Sequence, residues 1–183
     1  MRADACRNLD NLLQTGAKVL ARDPSASIAH IAAEAGLDRR TVYRRFATRE
    51  ALLLALFEAK LDAAEQVLDE ARLTEAPVAV ALHRYVEGIV PVSRQWPMEF
   101  SSLESPDQGT EDRRQQLRGR IRAFVDRGID EGFFRADVPR EWVRKMLDDL
   151  VKLAAHSEPL MDPPKAADLV VEMLLKGAGC RTA

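Results

Sequence analysis

The chain is poor in the residues that build metal or disulfide frameworks. Its two cysteines, Cys6 and Cys180, stand at opposite ends of 183 residues. Two terminal thiols make no disulfide framework and no metal-ligand spacing; they read as free thiols in a reducing cytosol. Long apolar runs are missing too, and none approaches the roughly 18–20 residues that cross a bilayer. The opening stretch MRADACRNLDNLL is too polar for a secretory signal. These absences predict a cytoplasmic protein with no membrane partner. There is no glycine-rich phosphate loop, no nucleophile–base pairing and no metal-ligand spacing, so no catalytic residue, metal or cofactor is expected and the enzyme reading is set aside. Neither a strand pattern nor an internal repeat is evident.

What remains is a helical chain with an uneven charge. Apolar residues make up 46% and charged residues 31%, an ordinary globular balance. The net charge of -2 divides into nine Lys/Arg against six Asp/Glu over residues 1–50, and eighteen against twenty-three over 51–183. A basic N-terminal segment on an acidic body suits a protein that meets a polyanion with one part only.

Apolar residues recur at helical spacing almost throughout. A first helix covers about Ala3 to Leu20. Ser27 caps a short second helix striped by Ile28, Ile31, Ala32 and Ala35, and Gly36 takes the turn after it. Asp38 caps a third helix, Arg39 to about Phe46, and Thr48 a long fourth one reaching about Leu73. A fifth begins at Pro77 with Tyr85 on its apolar face. Residues 91–110, with Pro91, Pro97, Pro106 and Gly109, break regular structure around a short helix carrying Trp96, Met98, Phe100 and Leu103. A helix with Leu117, Ile121, Phe124, Val125 and Ile129 follows. Gly128, Gly132 and Pro139 bracket a tight connection to two last helices, about Arg140–Ser157 and Pro164–Lys176. The expectation is an all-α protein of about nine helices: a three-helix domain over 1–48 and a helical body over 49–183, joined by the fourth helix.

Residues 28–49 carry the chemistry. Ala32 is the small contact residue and Gly36 the turn of a helix-turn-helix, and Ile31, Leu37 and Val42 lock its helices together. Facing away from the lock are Arg39, Arg40, Thr41 and Arg44. Arginine donates to guanine edges or phosphates, and threonine contacts either. Tyr43 has a hydroxyl that reaches a phosphate, and Arg49 adds its charge at the start of the fourth helix.

In this stretch the chain resembles the TetR family of transcriptional regulators. The resemblance runs from Ser27 to Glu58: Ile31-Ala32-x-x-Ala35-Gly36, then Thr41-Val42-Tyr43-x-x-Phe46, then Arg49-Glu50-Ala51-Leu52-Leu53. With the preceding helix it covers about 45–50 N-terminal residues; beyond them only the length and helical pattern agree. The family usually has a histidine where this chain has Arg45. The resemblance implies that Thr41, Tyr43, Arg45 and Arg49 contact DNA, with Arg39, Arg40 and Arg44 reaching bases or backbone and Ser27 also among the DNA-binding residues. Val42 and Phe46 would be buried.

It further implies a homodimer formed through the last two helices, a near-palindromic operator in double-stranded DNA, and release by a small-molecule effector. Tyr85, Trp96, Met98, Phe100, Phe124 and His156 are candidates to line the effector pocket, with the tract from Pro91 to Gly109 as its gate; an ordinary helical core explains the same residues. Activation in place of repression, or an interaction module that has lost DNA binding, are the competing readings. Phosphate contacts release counterions, so affinity for DNA is expected to fall steeply as salt is raised in an anisotropy titration. A flat dependence would remove the DNA reading.

Overall fold

A computed structural model describes residues 2–98, 107–157 and 160–179. Eight helices account for the regular structure among them: α1 (Arg2–Arg22), α2 (Ile28–Glu34), α3 (Arg39–Arg45), α4 (Arg49–Ala71), α5 (Val78–Gln95), α6 (Gln108–Asp130), α7 (Arg140–His156) and α8 (Pro163–Ala178). The chain divides into two compact units, Met1–Asp62 with Gln95–Arg113, and Ala63–Arg94 with Arg114–Ala183.

In the first unit α1 packs on α2 and α2 on α3. The i, i+4 spacing of Leu13, Ala17 and their neighbours Leu12 and Leu20 buries one face of α1. Gly16 lets the helices close: a β-carbon there would stand 3.3 Å from a methyl of Ile31 on α2 and 3.5 Å from Leu56 on α4. Asn11 adds a cross-brace, donating from Nδ2 to the carbonyl of Ala35 at 2.9 Å.

In the second unit α4 stops at Arg72, which takes a left-handed φ of 53°. The turn that follows is closed by the guanidinium of Arg127, which donates to the carbonyls of Thr74 (3.1 Å) and Ala76 (2.7 Å). Leu82, Val86, Phe124, Phe134, Leu147 and Leu174 form the buried centre. Phe134 follows α6 and is pinned to the end of α8, where the Arg135 N–H donates to the Ala178 carbonyl at 2.8 Å.

Two expectations change. Pro91 does not end α5: the helix continues to Gln95. Proline forfeits one helical hydrogen bond and crowds the preceding turn. The turn beyond it is fastened elsewhere, since the Arg94 guanidinium donates to the carbonyls of Ala154 (3.0 Å) and Ala155 (3.3 Å) at the end of α7. The short helix expected with Trp96, Met98, Phe100 and Leu103 does not begin at Trp96: Trp96, Pro97 and Met98 are non-helical, and Phe100 and Leu103 lie outside the described residues. Among the described residues eight helices stand against the nine or so expected.

Gly128 lies within α6 and does not bracket the connection after it. A β-carbon there would fall 2.6 Å from the ring of Phe134, which is fully buried. Gly119, on the same helix, has open space around it. Gly128→Ala is therefore expected to destabilise the fold by about 1–3 kcal/mol through overpacking. Gly119→Ala is expected to stabilise it by up to about 1 kcal/mol, the helix-propensity difference. Urea midpoints check both; equal shifts of the same sign would contradict the packing at Phe134.

A candidate nucleic-acid interface

The interface is built on α3, a helix of seven residues, RRTVYRR. So short a helix is unstable alone, because nucleation costs more than its few hydrogen bonds return. Its entry is set by the turn after α2. Gly36 has a φ of +66°, a conformation that strains any residue with a β-carbon. The Leu37 and Gly36 N–H groups donate back to the carbonyls of Ala32 (2.9 Å) and Ala33 (3.0 Å), closing the paired hydrogen bonds of a Schellman turn.

Asp38 then starts α3. One of its carboxylate oxygens accepts from the backbone N–H groups of Arg40 (2.9 Å) and Thr41 (3.2 Å). The negative charge also complements the positive end of the helix. Ser27 plays the matching part on α2, accepting from the His30 N–H at 3.2 Å. Thr48 does so on α4, accepting from the Ala51 N–H at 3.2 Å. Glu50, in the first turn of α4, has its carboxyl held below the usual carboxylate range by a backbone N–H and then by the Thr48 hydroxyl.

Burial fixes which way α3 faces. Val42 is 2% exposed and Phe46 7%, while Arg39, Arg40, Thr41, Tyr43, Arg44 and Arg45 are all exposed. The six residues proposed from the sequence on this helix therefore share its solvent side. The Arg39 guanidinium lies over the Tyr43 ring at 5.1 Å, and that of Arg45 over Phe46 at 5.9 Å. An open hollow is bordered by Asp38, Arg39, Arg40 and Tyr43.

Arg49 is placed differently. It is half-buried, and its guanidinium donates to the carbonyls of Ala26 (3.3 Å) and Pro24. It ties the start of α4 to the turn between α1 and α2. That turn is organised by Asp23, which accepts from the Ser25 hydroxyl (2.6 Å) and N–H (2.9 Å). Those two bonds hold the Asp23 carboxyl low. A guanidinium has five donors, so this bracing leaves some for a phosphate. Sequence reasoning missed Asn11 as a brace, and it read Arg49 by its charge alone, without the two carbonyls it binds.

The residues expected to line an effector pocket fall in both units. Trp96 and Met98 are buried in the first unit, while Tyr85 and Phe124 are buried in the second. His156 is exposed on the last turn of α7. Phe100 lies outside the described residues. Burial, then the charge of Asp148, push the Tyr85 hydroxyl to a higher pKa. Burial also raises the Asp148 carboxyl, against the opposing pull of Arg144, Lys152 and Arg118.

With this geometry in hand, three comparisons bear on the chain. The sequence model of the family described as "Bacterial regulatory proteins, tetR family" matches residues 12–56, the segment from mid-α1 into α4. The HTH-type transcriptional repressor LfrR of Mycolicibacterium smegmatis is 40% identical over 76 residues, which is 42% of this chain and 40% of that repressor. The matched segment thus spans less than half of the curated relative. Among solved structures, LfrR from Mycobacterium smegmatis in complex with proflavine aligns over 97% of this chain and 99% of its own, with a TM-score of 0.66 and 25% identity. The ketosteroid regulator KstR2 of Mycobacterium tuberculosis aligns over 93% of this chain and 94% of its own with a TM-score of 0.76; at 18% identity it speaks for the fold.

Because Asp38 is, among the described residues, the only side chain bonded to the first N–H groups of α3, Asp38→Ala is expected to cost about 1 kcal/mol, and Asp38→Asn much less. Amide exchange across residues 39–46 reads the effect locally. Unchanged protection in Asp38→Ala would show that the cap does not hold this helix.

Proposed function

Since the chain belongs to the TetR family of bacterial regulatory proteins, we propose that it is a cytoplasmic transcriptional repressor. It binds a near-palindromic operator in double-stranded DNA as a homodimer and releases it when a small molecule occupies the helical body. One observation carries this reading: six polar residues of α3, four of them arginines, face solvent while Val42 and Phe46 anchor the helix from behind. An exposed helix of this width and charge fits the major groove, which admits an α-helix edge-on to the bases. Residues 1–48 act as the DNA-binding domain, and residues 49–183 as the effector-binding and dimerisation domain. Ser27, at the start of α2, and Arg49, at the start of α4, take phosphates in this reading.

Dimerisation is supported by what α7 and α8 leave in water. These helices pack on each other, yet Trp142 is 68% exposed, Leu153 57%, Met173 49% and Leu169 39%. Apolar side chains gathered on two adjoining helices are costly to hydrate, and a second copy of the same pair covers them as a four-helix interface. A two-fold dimer sets its two recognition helices about one DNA turn apart, roughly 34–36 Å.

For the effector, the complex of LfrR with proflavine makes a planar aromatic cation the first class to try. The net negative charge of residues 51–183 favours a cation over an anion. Within the second unit, Tyr85 and Phe124 offer the aromatic surface. Such a ligand acts only through a difference in affinity between the DNA-binding and released states.

Purified protein mixed with fragments of its own genome is expected to retain a small set sharing a near-palindrome. Replacing Arg39, Arg40, Arg44 and Arg45 together by Gln should abolish retention without unfolding the protein. Met173→Glu combined with Leu169→Glu should give a monomer by sedimentation, with affinity for the full site reduced at least 100-fold. Proflavine added to the wild-type complex should release DNA. Retention of fragments by the four-Gln variant would exclude α3 as the reading helix, and release unaffected by proflavine would exclude that effector class.

A further inference from the structure

The four arginines of α3 are not equivalent, and the difference follows from their positions around the helix. Successive residues turn by about 100°. Measured from Val42, which points into the core, Arg40 and Arg44 each lie within roughly 20° of the opposite direction by the same count. They stand side by side at i and i+4 and lead the helix into whatever it enters. Thr41 and Tyr43 flank them. Arg39 and Arg45 sit only about 60° from the buried seam on that count, low on the two sides of the helix.

Side-chain contacts sort the four in the same way. The Arg39 guanidinium rests over Tyr43 and that of Arg45 over Phe46. Neither Arg40 nor Arg44 has a side-chain hydrogen bond, ion pair or ring contact among the described residues. Two guanidinium forks are thus exposed and unengaged among the described residues, carried on the face of the helix opposite Val42. The other two are parked beside aromatic rings at the flanks.

We propose that Arg40 and Arg44 are the base-reading residues of this protein, each donating bidentately to O6 and N7 of a guanine, while Arg39 and Arg45 hold phosphates at the groove walls. The reading rests on α3 entering the major groove as proposed above. A forked donor matches the paired acceptors of guanine, and no other base offers that pair in the major groove. Four residues of helix advance about 6 Å, close to two base-pair steps of roughly 3.4 Å. Each half-site should therefore carry two guanines about two steps apart, on either strand. Phosphate contacts at the flanks fix orientation and carry no sequence information.

The test is selection from a random duplex library with the wild-type protein and four single variants, followed by affinity measurements across salt. The wild type should select half-sites with the two guanines. Arg40→Ala should lose preference at one and Arg44→Ala at the other, each weakening the selected site by about 5- to 100-fold. Replacing either guanine by 7-deazaguanine, which removes the N7 acceptor, should weaken the wild type but not the matching variant. Arg39→Ala and Arg45→Ala should return the wild-type consensus, weaken all sequences alike and lower the salt slope by about one. The assignment is overturned by a consensus lacking the paired guanines, by guanine preference that survives Arg40→Ala or Arg44→Ala, or by a consensus altered in Arg39→Ala. If instead the wild type enriches no sequence and shows no salt-dependent affinity for duplex DNA, the DNA-binding reading itself fails.

Discussion

The account depends on holding a helix that cannot hold itself. Seven residues form α3, and a segment of that length gains too few hydrogen bonds to offset its nucleation cost. Val42 and Phe46 supply apolar burial on one side, Asp38 satisfies two N–H groups at the start, and the left-handed turn at Gly36 sets the angle of entry. With these in place the remaining positions carry no structural duty. They are free to be Arg, Arg, Thr, Tyr, Arg and Arg, a composition that a helix needing its outer face for packing could not tolerate.

The support widens outward from that point. α1 is fixed against α2 and α4 through the close approach at Gly16, and against the end of α2 again by the Asn11 bond to Ala35. Arg49 anchors the first turn of α4 to the carbonyls of the α1–α2 turn. α4 then runs unbroken to Ala71, so the helix that starts at the interface carries residues of the second unit.

Legibility in the sequence followed the range of the interactions. The caps at Ser27, Asp38 and Thr48 and the turn at Gly36 are local, depending on residues two to four apart, and they stand where the residue types predicted. The apolar stripes of α1, α5, α6, α7 and α8 were visible for the same reason. Features set by distant partners were not. Nothing near Pro91 reveals that Arg94 will find the end of α7, sixty residues on. Nothing near Gly128 reveals that the Phe134 ring will lie against it. Arg49 was read by its charge as a phosphate ligand, while the fold also gives it two carbonyls. At the recognition surface the residue types were plain from the sequence, but the division between forks facing outward and forks resting on rings needed coordinates. The effector candidates were the least legible, because aromatic residues at helical spacing look alike whether they pack a core or line a cavity.

A hydroxyl-radical footprint of the protein on its recovered operator tests the central claim most directly, since it reads both the helix in the groove and the number of copies bound. The account predicts two protected patches on one face of the duplex, about one helical turn apart and related by the two-fold of the site. A single continuous patch, protection confined to the minor groove, or no protection at concentrations that retain the fragment would contradict it.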